Sequence, residues 1–65
     1  MASTREFGII FEVVRMGAYV KVSAVDPVSL VEVSVVGPAK GPLEPIKQVA
    51  LRKLKLAIAR GSGLR

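Results

Sequence analysis

Few side chains in this 65-residue chain can do chemistry, and their spacing limits what that chemistry is. The carboxylates are Glu6, Glu12, Asp26, Glu32 and Glu44. Glu12 and Glu32 each sit inside an apolar-rich stretch, and two carboxyl groups on one surface are the minimum for general acid–base work. Lys21 falls between them in the chain. If all three share a sheet face, a cross-strand charge set Glu12–Lys21–Glu32 accounts for the same residues without any reaction. The chain has no histidine and no cysteine. That removes the commonest general base near neutral pH and the commonest metal ligand, together with disulfides and thiolate metal sites. Ser3, Ser23, Ser29, Ser34 and Ser62 therefore have no histidine to activate them. Gly37-x-x-x-Gly41-Pro42 is too short for a phosphate loop and is followed by no Lys-Ser/Thr pair. Gly61-Ser62-Gly63 follows a helical pattern instead of joining a strand to a helix, so it is no dinucleotide fingerprint. The expectation is a non-enzymatic protein with no cofactor and no metal.

What remains is charge and apolar surface. The net charge is +5. Residues 1–42 are balanced, whereas residues 43–65 hold Lys47, Arg52, Lys53, Lys55, Arg60 and Arg65 against Glu44. The whole excess thus lies in the last third, a pattern that suits either a polyanion partner or a solvated helix face. The stretch FEVVRMGAYVKV (Phe11 to Val22) supplies a second feature, with Arg15, Tyr19 and Lys21 flanking a turn. Arg15, Tyr19 and Lys21, with Lys47, Arg52 and Lys55 from the C-terminal segment, are the candidate binding patch.

These residues need elements to position them. Phe7 to Met16 reads as a β-rich strand with both faces largely apolar. Gly17 supplies a tight hairpin turn. Residues 18–25 alternate, with Val20, Val22 and Ala24 against Tyr19, Lys21 and Ser23. Asp26-Pro27 opens a turn, since Asp bonds its own backbone and Pro presets φ. Residues 30–36 form a third strand, ended by Gly37-Pro38. After the loop GPAKGP a helix runs over about 43–60, with Pro in its first turn and Gly61 as its C-terminal cap. Residues 1–5 and 61–65 are expected to fray. The fold expected is one α+β domain, a three-stranded antiparallel β-meander followed by one C-terminal α-helix packed on one sheet face.

A chain this short buries only about 60% of the surface its unfolded form exposes. It is nevertheless 51% apolar. On a helical wheel with Ile46 at zero, Leu43, Ala50, Leu54 and Ala57 lie within about 80°. Leu51 and Ile58 widen the stripe on one side, and Val49 and Leu56 on the other, to roughly 220°, where about 100° covers a surface helix. One helix also leaves one sheet face bare. Both features predict self-association, most simply a two-fold dimer burying the second sheet face, the helix flank or both. No apolar run approaches the roughly 20 residues that span a bilayer, and MASTREFG lacks the apolar core of a signal peptide. A soluble, cytoplasmic protein of bacterial type with no membrane partner is expected.

The order β-β-β-α with a basic helix resembles the corresponding portion of double-stranded-RNA-binding domains, which would imply nucleic acid as the partner. No helical pattern precedes the first strand, however, and no Lys-Lys pair opens the helix. Lys47, Arg52, Lys53, Lys55 and Arg60 point near 100°, 240°, 340°, 180° and 320°, roughly encircling the helix in place of one phosphate-tracking stripe. The run Phe11-Glu12-x-x-Arg15-x-Gly17-x-Tyr19-Val20-Lys21-Val22, with Ala24, Asp26 and Glu32-Val33-Ser34-x-Val36-Gly37-Pro38, resembles a family of short uncharacterised bacterial proteins. In that family a Thr-Gly often occupies the second turn, where this chain has Ser29-Leu30. Members are sometimes labelled serine hydroxymethyltransferase, an activity that needs a far longer chain and a pyridoxal-phosphate site. The resemblance implies a fold and no activity.

Overall fold

Ile9, Phe11 and Val13 alternate with Ile10, Glu12 and Val14, and this alternation is a strand in the computed structural model, which describes residues 2–61. The elements are β1 (Ala2–Glu6), β2 (Ile9–Met16), β3 (Tyr19–Val25), β4 (Glu32–Pro38) and α1 (Glu44–Ala59). The strands form one antiparallel sheet in the order β1-β2-β3-β4. The α+β class, the meander and the C-terminal helix are as expected, but the sheet has four strands where three were expected. Residues 2–5, expected to fray, pair along β2 together with Glu6, from Ala2↔Val13 to Glu6↔Ile9. ASTRE has no apolar alternation of its own. It becomes a strand because the outer edge of β2 offers unpaired N–H and C=O groups, and the turn before β2 sends the chain back along that edge. Phe7 and Gly8, expected to open the next strand, make this turn. Both are left-handed, at φ 55° and 76°, the pattern of a two-residue type I′ hairpin turn.

Gly17-Ala18 makes the second hairpin, closed by Met16↔Tyr19. The third turn is built on Asp26. Its carboxylate accepts from the Val28 N–H and the Ser29 hydroxyl, both at 3.0 Å. Its carbonyl accepts from the Leu30 N–H at 2.7 Å, and its own N–H donates to the Val31 carbonyl at 3.0 Å. Leu30 closes the turn at φ 66°. This left-handed position admits glycine without a Cβ penalty. Residues 62–65, part of the expected frayed tail, lie outside the described residues. The Gly61 N–H donates to the Ile58 carbonyl at 3.0 Å and ends α1.

The registers line up Phe11↔Ala24↔Val33, Val13↔Val22↔Val35 and Arg15↔Val20↔Gly37. Side chains alternate across a strand, so these residues share one face, and α1 covers it. The buried cluster is Phe11, Val22, Ala24, Ala50 and Leu54. Two of its members are alanines, one on β3 and one on α1, and neither has exposed area. With no side-chain bulk between them, the helix lies close on the sheet. The approach is closest at Gly37, where a Cβ would stand 2.6 Å from Ile46 Cδ1 and 3.0 Å from Cγ1. Glycine is present in β4 because the first turn of α1 occupies the space of its side chain.

Two stability outcomes follow. Gly37→Ala forces Ile46 out of its rotamer or shifts the helix, and should cost about 1–2 kcal/mol. Ile46→Val removes the clashing methyl, so Gly37→Ala combined with Ile46→Val should lose less than the sum of the single losses in urea unfolding; strict additivity would show that the two residues do not meet. Leu30→Asn, at an exposed left-handed site, should raise stability by about 0.5–1 kcal/mol because Asn tolerates that conformation, visible as a higher Tm.

Candidate functional site

The face opposite the helix carries Arg5 from β1; Ile10, Glu12, Val14 and Met16 from β2; Tyr19, Lys21, Ser23 and Val25 from β3; and Glu32, Ser34 and Val36 from β4. Among the described residues nothing packs over it. Its centre is a polar row, Ser3, Glu12, Ser23 and Ser34, in which the Ser23 and Ser34 hydroxyls hydrogen-bond at 3.0 Å. At one end Met16, Tyr19 and Val36 are exposed to 46%, 59% and 57%. They surround the partly buried Lys21, whose direct neighbours are Val14 and Val36.

Glu12, Lys21 and Glu32 do share this face, but the register keeps them from forming one set. Glu12 stands opposite Ser23, diagonal to Lys21, and Glu32 stands opposite Val25, four residues along β4 from Lys21's partner Val36. Strand spacing and rise put the Glu12 and Glu32 backbones about 12 Å apart, on strands separated by β3. No ion pair joins the three; among the described residues the one ion pair is Lys47 with Glu6.

The six candidate residues fall on three surfaces. Tyr19 and Lys21 lie on the bare face. Arg15 pairs with Val20 on the helix-side face, exposed near the strand end beyond the core cluster. Lys47 is half-buried on α1. Its ammonium donates to the Glu6 carboxylate and sits 5.2 Å from the centroid of the Phe11 ring. That contact fastens the edge strand β1 to the helix, so Lys47 has a structural task. Arg52 and Lys55 are exposed on the outer side of α1.

Sequence reasoning missed a groove. Between α1 and the start of β2 lies a cleft of about 410 Å³. Leu54 forms its floor, Ile9, Leu51 and Ile58 its walls, and Phe7 its rim; among the described residues Gln48 and Lys55 supply its polar side chains. A shallower depression of about 290 Å³ adjoins it across Gln48, Leu51 and Lys55 and adds Arg52. Among the described residues no carboxylate lines either one. The missed signal was Phe7-Gly8, a dipeptide ending in glycine just before an apolar run.

The fold is thus a small α+β domain, a four-stranded antiparallel sheet backed on one face by a single helix. The chain belongs to the family described as Domain of unknown function (DUF6898), whose family model matches residues 6–61. No curated protein and no solved structure matches it. No described helix is long and apolar enough to cross a membrane.

Glu6→Gln keeps a hydrogen-bond acceptor beside Lys47 and removes the charge. It should cost about 0.5–1 kcal/mol at low salt, and the loss should shrink at 1 M salt, where the Debye length is about 3 Å. A salt-independent loss in urea unfolding would assign the cost to packing.

Proposed function

We propose that the protein is a small non-enzymatic interaction module that self-associates through its bare sheet face. The observation that carries this reading is the exposed apolar end of that face, Met16, Tyr19 and Val36 with the stem of Lys21 between them. Removing such a patch from water is favourable at about 25 cal/mol per Å² of apolar area. The occupant is a second copy on grounds of charge. The face holds Arg5 and Lys21 against Glu12 and Glu32, so it is neutral and carries both signs. Two copies related by a two-fold axis can set Lys21 of one against Glu12 of the other. A polyanion gains nothing from such a surface.

The second reading is nucleic-acid binding by α1, and Arg52 and Lys55 support it. Both are exposed and in no ion pair among the described residues. Against it, Lys47 already faces Glu6, which leaves a short cationic strip for phosphate contact.

Sedimentation equilibrium over a wide concentration range tests the first reading. The wild type should dimerise, and Val36→Lys, an exposed change on an edge strand, should weaken the dimer at least tenfold without unfolding it. A wild type that stays monomeric, or a variant that dimerises equally well, would overturn it. Titration with RNA and DNA duplexes at about 50 and 200 mM salt separates the second reading, because phosphate-driven binding falls steeply over that range.

A further inference from the structure

Phe7 combines two unfavourable features. Its backbone is left-handed at φ 55°, where a bulky side chain is strained. Its ring is 89% exposed, so the strain is offset by no burial within the chain. Positions strained in this way cluster at binding and active sites. The ring stands at the rim of the groove between α1 and β2. The groove volume of about 410 Å³ lies within the range of small-molecule sites, about 300–1,000 Å³, which are mainly apolar with a few placed polar groups.

The layout fixes the chemistry of an occupant. Along α1 the groove runs from Gln48 to Ile58, about 15 Å at the helical rise, with Leu51 and Ile58 as apolar wall. Lys55 is its one charged side chain, Arg52 joins it in the adjoining depression, and Gln48 borders both. Among the described residues the lining holds cations and no acid, and Glu44, one turn away, accepts from the Gln48 amide at 3.4 Å. An apolar channel of this kind suits a molecule with an apolar body and an anionic head. A nucleotide would leave the aliphatic walls unused, and a cationic amphiphile would meet Lys55 and Arg52.

We infer that the groove binds a free straight-chain acyl carboxylate. The alkyl chain lies along Leu51, Leu54 and Ile58 beneath the Phe7 ring, and the carboxylate accepts from Lys55 and Arg52. The ring exposed at the Phe7-Gly8 turn then becomes the cover of the chain, and its burial offsets the backbone strain. The groove lies on the helix side of the sheet, so a dimer formed through the bare face leaves it open.

The test is a methyl- and amide-detected NMR titration of the full chain with dodecanoate below its micellar concentration. Dodecyltrimethylammonium serves as the charge-reversed probe and acetate as the head group alone. Dodecanoate should give saturable shifts at Leu51, Leu54 and Ile58, at least tenfold tighter than the ammonium probe, with acetate giving none. Lys55→Glu, an exposed change, should weaken dodecanoate at least tenfold. Phe7→Asn should raise Tm, because Asn tolerates the left-handed turn, yet bind several-fold more weakly; this opposition is what a strained binding residue predicts. Equal affinity for the two head groups, or unchanged affinity in both variants, would overturn the assignment. So would groove shifts that follow protein dilution instead of ligand, since the groove would then hold the Phe7 ring of a second copy. Groove shifts produced by deleting residues 62–65 in place of ligand would do the same, because the chain's own end would then be the occupant.

Discussion

The structure depends on how closely one helix can lie on one sheet. In a chain this small, with no disulfide to limit the unfolded state, stability leans heavily on packing. That packing is made tight by small residues. Ala24 and Ala50 meet in the buried cluster, and Gly37 yields the space its side chain would fill to Ile46. Bulk at these positions would lift α1 and open the cluster around Leu54. The seam also decides the rest of the surface. Once α1 covers the Phe11–Val22–Val35 side, Tyr19, Lys21 and Val36 are left bare on the other, and the flank of α1 that faces Ile9 of β2 bounds the groove. Both apolar surfaces follow from fitting one helix to four strands.

The elements that could be read from sequence are those with a strong local pattern. β3 alternates cleanly, Asp26-Pro27 and Gly17 mark turns, and the apolar stripe of α1 has the helical period. β1 was not legible because its residues do not specify a strand. Ala2–Glu6 pairs with β2 through the backbone, and the Lys47–Glu6 ion pair joins it to α1. Those two facts are tertiary: one needs the β2 edge to be free, and the other needs the helix already in place. The Phe7-Gly8 turn hid in the same way. Type I′ turns favour Asn, Asp or Gly at the first central position, and a phenylalanine there reads as the opening of an apolar strand.

The candidate residues were legible as types but not as a group. A two-residue turn at Gly17-Ala18 pairs Met16 with Tyr19, and so pairs Arg15 with Val20. Arg15 therefore shares its side of the sheet with the core, and Tyr19 and Lys21 take the other. The same parity puts Glu12 opposite a serine. Turn length sets register, and register sets which charges meet. Residues close in sequence around a hairpin thus end on opposite surfaces, and the residues lining the groove, Phe7 and Ile9 with Leu51 and Ile58, come from segments some forty positions apart.

Among the described residues two non-glycine residues, Phe7 and Leu30, hold left-handed backbones, and their settings differ in kind. Leu30 sits in a turn that the Asp26 side chain and backbone, with the Ser29 hydroxyl, bond from within. There the local hydrogen bonds hold the conformation, and the side chain is a bystander. Phe7 has no such network around it; its turn is fixed by the ladder on either side, Glu6↔Ile9 and onward, and would form as readily with Asn at that position. The backbone does not require the ring, and the core does not use it. A strained position that neither folding nor packing explains points to a role for the side chain beyond the fold, and among the described residues the apolar space that Phe7 borders is the groove.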